Sequence, residues 1–169
     1  PASFNATLTA QGGRIVSCDP VYRFSADAIR RRVDAVYPEI MAKVRANAAN
    51  YIWDELGTVE RLGQVRMEAM TAFLSDFTAG CEQGRYREAT LPDLAFGDQA
   101  FDLALCSHYL FLYSDHLDTG GHLRGMRELC RVAREVRVFP LVALDGRPSP
   151  HLDVVRRALV NEGVQVSLE

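Results

Sequence analysis

The stretch Phe101-Asp102-Leu103-Ala104-Leu105-Cys106-Ser107-His108 decides the fold. A short, apolar, β-prone run passes directly into a polar Ser-His pair, which is how a strand reaches the end of a sheet. Working upstream, Gly97-Asp98 and Leu91-Pro92-Asp93-Leu94 carry loop chemistry, and Arg85 to Ala89 reads as a further strand. Working downstream, Leu110 to Tyr113 is a short apolar turn or helix. Leu117 to Arg134 places Leu123, Met126, Leu129, Cys130 and Ala133 at helical spacing. Val136 to Leu144 is a strand bent at Pro140. Ser149-Pro150 opens a helix lined by Leu152, Val155 and Leu159 and ended by Asn161-Glu162-Gly163. Val164 to Leu168 alternates as a half-exposed strand does.

The N-terminal half has the same grammar. Ser3 is placed to cap a short helix that the Gly12-Gly13 pair ends. Arg14 to Cys18 reads as a buried strand stopped by Asp19-Pro20. Ser25 caps a helix carrying Ile29, Val33 and Val36; Pro38 is expected to interrupt it and start a second, with Ile40, Met41 and Val44 on its apolar side. Asn50-Tyr51-Ile52-Trp53 is a connector. Thr58 caps a long helix in which Leu62, Val65, Ala69, Phe73 and Phe77 recur at steps of three and four. Helices alternating with short strands predict an α/β fold: an open, mostly parallel sheet with right-handed crossovers and helices on both faces. Residues 24–84 exceed a plain crossover and are expected to form a helical insertion or lid between the first two strands.

Composition bounds the function. The 169 residues are 48% hydrophobic and 24% charged, ordinary for a folded domain and unlike a disordered chain. A net charge of −3 argues against a strongly basic nucleic-acid surface. No apolar run approaches a membrane span, and no signal peptide is visible. Of the 19 basic residues all but Lys43 are arginine, a bias that a GC-rich genome would also produce. Cys18, Cys81, Cys106 and Cys130 show no metal-type spacing and read as free thiols of a reducing cytoplasm.

In open α/β sheets, ligands bind outside the carboxyl ends of the strands. Three such ends stand out: Asp19, Glu88 to Leu91, and Ser107-His108-Tyr109. Asp19 is either an acid for two ribose hydroxyls or a turn acid before Pro20. His108 at a strand end is either a base for an attacking hydroxyl or amine, or a packing residue. Tyr109 and Tyr113 line an acceptor pocket or simply pack. His116, His122 and His151 lie in polar sequence and are expected at the surface. His116 and His122 are six apart, which does not suit a helical metal pair.

Taken together, Phe101 to His108 resembles the fourth-strand motif of class I S-adenosylmethionine-dependent methyltransferases. The preceding Leu91-Pro92-Asp93-Leu94-Ala95-Phe96-Gly97-Asp98-Gln99-Ala100 is similar to the loop that leads into that strand. Glu128-Leu129-Cys130-Arg131-Val132 resembles the helix end before the fifth strand, and Gly13 to Pro20 the second strand with its ribose-binding acid. The resemblance covers nearly the whole chain except residues 24–84. It implies a Rossmann-like sheet and a single methyltransferase-like domain over 1–169, incomplete because the first strand, its glycine-rich loop and the last strand are not in the sequence. Pro1 to Asn5 looks like the tail of that loop.

The resemblance further implies S-adenosylmethionine as cofactor. Asp19 and Pro20 would serve the ribose, Ala89, Thr90 and Leu91 the adenine region, and Ser107 with His108 the methionine side. His108 is the candidate catalytic base. Where the family often has an acid at the adenine step this chain has Ala89, so Glu88 or backbone groups would substitute. The methyl acceptor is a small molecule or a macromolecule. Residues 24–84 are the expected source of its specificity, and an oligomer is compatible with the exposed edges such a sheet would leave. Two rival readings remain at this level: an inactive methyltransferase-like binding or scaffold module, and a nicotinamide-dependent oxidoreductase, which would share the ribose acid.

Overall fold

Five helices and four short strands form in a computed structural model that describes residues 2–54 and 57–168, short of the last strand that the alternating pattern implies. Pro1 and Glu169, on which the readings of the two chain ends rest, lie outside the described residues. The chain divides into two compact units, residues 1–88 and 89–169.

In the first unit, α1 (Phe4–Ala10) leads to β1 (Ser17–Cys18) and a 3-10 turn, Pro20–Arg23. Ser3 stands at the N-cap of α1, but its hydroxyl makes no capping bond. Gly12, at φ 84°, takes the left-handed turn out of α1 that a side chain would resist. Two long helices follow, α2 (Ala26–Ala46) and α3 (Val59–Glu82), capped by the Ser25 and Thr58 hydroxyls, which accept from Ala28 N and Arg61 N. β2 (Tyr86–Arg87) then pairs parallel with β1, Ser17 opposite Tyr86 and Cys18 opposite Arg87.

Pro38 does not break α2; the helix runs through it. Proline forfeits one backbone bond and crowds the preceding turn, but Ile29, Met41 and Val44, on both sides of it, are all buried. Burying side chains of this kind is worth about 1.5–3 kcal/mol each, enough to outweigh the local penalty. The core of this unit is Ile29, Phe73, Leu74, Phe77 and Tyr86. Tyr22 joins their rings, 5.3 Å from Tyr86 and 5.6 Å from Phe77. Its burial, with the nearby Asp19 charge second, pushes the Tyr22 phenol up to about 12.

One buried polar network ties these elements together. Arg85 grips Asp76 with two 2.7 Å bonds and donates to Asn5 Oδ1 at 2.7 Å. Tyr86 donates its hydroxyl to Asp76, while Asn5, only 1% exposed, donates to Ser17 Oγ and the Arg85 carbonyl. The Arg85 bonds hold the Asp76 carboxyl below the usual carboxylate range against the opposing effect of burial.

The second unit holds β3 (Phe101–Ser107), a 3-10 turn Ser114–His116, α4 (Thr119–Val132), β4 (Ala133–Phe139) and α5 (Leu152–Asn161). β3 and β4 are parallel, in register from Phe101 opposite Ala133 to Ser107 opposite Phe139. Alternation sends Ala104, Cys106, Val136 and Val138 toward a core of Leu110, Phe111, Met126, Leu129, Val155 and Leu159. Leu103, Leu105 and Phe139, on the other parity, are exposed.

The architecture is thus mixed α/β, with parallel pairing, as expected. The sheet is observed as two separate parallel pairs, β1–β2 and β3–β4. Val164 to Leu168 forms no strand: Gly163 turns the chain at φ 86°, Val164 N closes on the Leu159 carbonyl, and the alternating residues find no strand to pair with among the described residues. α5 begins at Leu152, two residues beyond Pro150, with Leu152 N bonded to the Ser149 carbonyl.

Candidate functional site

At the end of β1, Asp19 is exposed and caps the 3-10 turn, its Oδ1 accepting from Val21 N at 2.8 Å. The turn-acid reading of Asp19 before Pro20 is therefore realised.

In the second unit, Thr90 is exposed and forms an antiparallel bridge with Asp93, while Leu91 is half-buried and packs on the core. Ala89 is half-buried. The loop that follows is clamped by the helix-end motif. Glu128 Oε1 accepts from Leu94 N at 2.9 Å, and Arg131 donates to the Leu94 and Phe96 carbonyls at 3.1 and 2.9 Å. Arg131 also bonds Asp98 at 2.7 Å and grips Glu128 with bonds of 2.8 and 2.7 Å. Two stretches 34 residues apart, singled out separately in the sequence, thus form one interlocked structure. The Arg131 guanidinium holds the Glu128 carboxyl below its ordinary range despite burial.

The end of β3 carries the most chemically distinctive geometry. Ser107, His108 and Tyr109 are all exposed. His108 takes the left-handed conformation, φ 56°, uncommon for a residue with a side chain. Its N–H donates to the Phe139 carbonyl at 2.6 Å, its Nδ1 lies 2.8 Å from Ser107 Oγ, and its ring meets Phe139 edge-on at 5.5 Å. The strand end is thereby turned sharply while the imidazole remains at the surface. Tyr113 is also exposed.

The structure corrects the reading of two other histidines. His122 is fully buried, and His151 half-buried; neither is a surface residue. Their ring centroids lie 4.4 Å apart, with the planes tilted by 32°. The signal was present in the periodicity: His122, Met126 and Leu129 fall at helical steps on the buried stripe of α4. The four cysteines are free thiols, with Cys106 buried and its thiol pushed up by that burial.

With this geometry in view, comparison with known proteins finds the uncharacterized protein MJ0045 of Methanocaldococcus jannaschii. It is 28% identical over 155 residues, which span 91% of this chain and 69% of that protein. No family model and no solved structure matches the chain. Among the described residues, no helix is long and apolar enough to cross a membrane.

Proposed function

We propose that the chain is a Rossmann-like, class I S-adenosylmethionine-dependent methyltransferase domain acting on a small-molecule or macromolecular acceptor. The observation that carries this reading is the strand pairing. In a doubly wound sheet of order 3-2-1-4-5, the second strand neighbours the third and the fourth neighbours the fifth, all parallel. The reading takes β1, β2, β3 and β4 as those four strands, and the two observed parallel pairs are the neighbours it requires. The clamp of Glu128 and Arg131 on the Leu94–Asp98 loop gives further support, since two motifs of the resemblance depend on each other physically.

The residues present suit the group in their donor chemistry. In the first unit, the exposed Asp19 carboxylate beside Pro20 has the chemistry to accept from ribose hydroxyls. In the second, Ala89 to Leu91 have the apolar and backbone groups an adenine takes, and the exposed Ser107 hydroxyl suits the polar methionine portion. When bound, S-adenosylmethionine supplies a methyl group already activated on a sulfonium, so positioning dominates catalysis. His108 is the proposed base. To accept a proton at Nε2 it must carry its own proton on Nδ1, and the Ser107 hydroxyl, which can accept as well as donate, accommodates that tautomer.

Calorimetry of the full-length protein with S-adenosylhomocysteine tests the reading. Binding is expected, and Asp19→Ala should weaken it about tenfold or more, the loss of a charge-assisted bond. Absence of both heat and a thermal shift would remove the enzyme reading and leave the inert binding module.

A further inference from the structure

We propose that His122, carrying protons on both ring nitrogens, is the positioning residue that holds the turn after β3, and that losing one of those protons releases it. His122 Nδ1 lies 2.8 Å from the Asp118 carbonyl and Nε2 lies 3.1 Å from the Leu110 carbonyl. Carbonyl oxygens only accept. A neutral imidazole has one N–H and satisfies one of them, leaving its lone pair against the other oxygen. The imidazolium donates to both. His122 is fully buried, so water does not reach a ring nitrogen left facing an acceptor; the Asp118 carbonyl also accepts from the His122 backbone N–H at 3.0 Å.

The neighbouring ring has the complementary arrangement. His151 Nδ1 faces Thr119 Oγ1 at 2.8 Å and Nε2 faces the Ser114 carbonyl at 3.2 Å. The hydroxyl donates to Nδ1 and Nε2–H donates to the carbonyl, which satisfies a neutral ring. A neutral His151 beside a charged His122 avoids placing two cations 4.4 Å apart.

The charged and titratable groups around His122 come from each element packed on it. On α4 itself Asp118 turns its carboxylate to Gly121 N, and ahead of α5 there is His151. The turn presents the Leu110 carbonyl and the Phe111 ring, which do not titrate. In the adjoining 3-10 turn, His116 meets Tyr113 instead.

What His122 holds is the segment that leaves the candidate site. Leu110 is two residues from His108, and Tyr113 N closes on the Tyr109 carbonyl within the same turn. Ser114 extends the buttress, bonding the Phe111 carbonyl and Ser149 Oγ at 2.6 Å each. The positioning of the turn stands without the methyl-transfer reading; only its consequence for catalysis by His108 rests on that reading.

The test needs no cofactor. Full-length protein labelled with 15N at histidine is titrated by NMR, and amide exchange of residues 110–114 is followed over the same pH range. At low pH both His122 nitrogens should report as protonated while His151 reports a single tautomer. As His122 loses a proton with rising pH, exchange of the Leu110–Ser114 amides should quicken about tenfold in the same transition. His122→Gln, with one donor in place of two, should show fast exchange throughout and no pH step. A His122 found neutral at the acid end, or exchange that stays flat through its titration, overturns the proposal. The wild-type titration decides the matter if His122→Gln fails to fold. S-adenosylhomocysteine binding is measured separately, so either reading can fail alone.

Discussion

Replacing Arg131 by Met keeps the aliphatic stem and removes the guanidinium that clamps the Leu94–Asp98 loop. Four acceptors lose their donor: the Leu94 and Phe96 carbonyls, Asp98 and Glu128. The Asp98 side chain is 79% exposed, so its pair contributes at most about 1 kcal/mol. Glu128 is different, since its side chain is only 13% exposed. Stranding a buried carboxylate outright costs about 3–5 kcal/mol, but Glu128 keeps the bond it accepts from Leu94 N. Arg131 itself is 36% exposed, and water reaching its place will recover part of that cost. We therefore expect a net loss of about 2–3 kcal/mol in urea unfolding, or about 5–10 °C in melting temperature at 2–4 °C per kcal/mol.

The pH dependence gives a second, independent check on Arg131→Met. Arg131 depresses the folded-state Glu128 pKa below its ordinary value of 4.5. The clamp's contribution is therefore full above that value and lost as pH falls through the depressed one. The gap between wild type and variant should be largest near neutrality and should narrow in acid, as Glu128 becomes protonated in the wild type as well. Asp98→Asn should cost less than about 1 kcal/mol. A loss under about 0.5 kcal/mol for Arg131→Met, or a gap that persists undiminished in acid, would refute the assignment of Arg131 and Glu128 as a partly buried clamp.

Other perturbations probe the first unit and the caps. Asp76→Asn breaks the bidentate bond to Arg85 and should cost about 2–4 kcal/mol in urea unfolding, a difference that fades as acid protonates Asp76 in the wild type. Gly80→Ala places a methyl against the Tyr86 ring and should cost about 1–3 kcal/mol by overpacking, read as a lowered melting temperature. Pro38→Ala should stabilise the protein by about 2 kcal/mol, because the exposed site regains a helix bond and loses only the smaller unfolded-state benefit of proline. Thr58→Ala should cost about 1 kcal/mol through the lost cap of α3, again by urea unfolding.

Helix positions and the strand order were legible because periodicity and caps are local signals. Ser25 and Thr58 cap the helices assigned to them, and Phe101 to Ser107 is a strand. What local signals do not carry is competition with the rest of the fold. Pro38 is a breaker in isolation but sits inside a helix whose buried residues lie on both sides of it. Val164 to Leu168 has strand alternation, yet alternation is only a capacity to pair. The same limit applies to the site. Asp19 and His108 were found as strand-end residues, but the left-handed turn at His108 and its bond to the Phe139 carbonyl depend on β4 lying alongside.

His122 shows where pattern reading erred and why that matters chemically. Counted by its neighbours Gly120, Gly121 and Arg124, it sits in polar sequence. Counted along the helix, it stands four residues before Met126 and seven before Leu129, on the face that the core covers. A polar residue on an apolar stripe must find partners or be costly, so its placement asks what satisfies it. Here the answer is two carbonyls, one in its own helix and one in the turn beside the candidate base. An apolar residue would fill the space without preferring any position of that turn. A ring within hydrogen-bond distance of both carbonyls ties the turn to the helix.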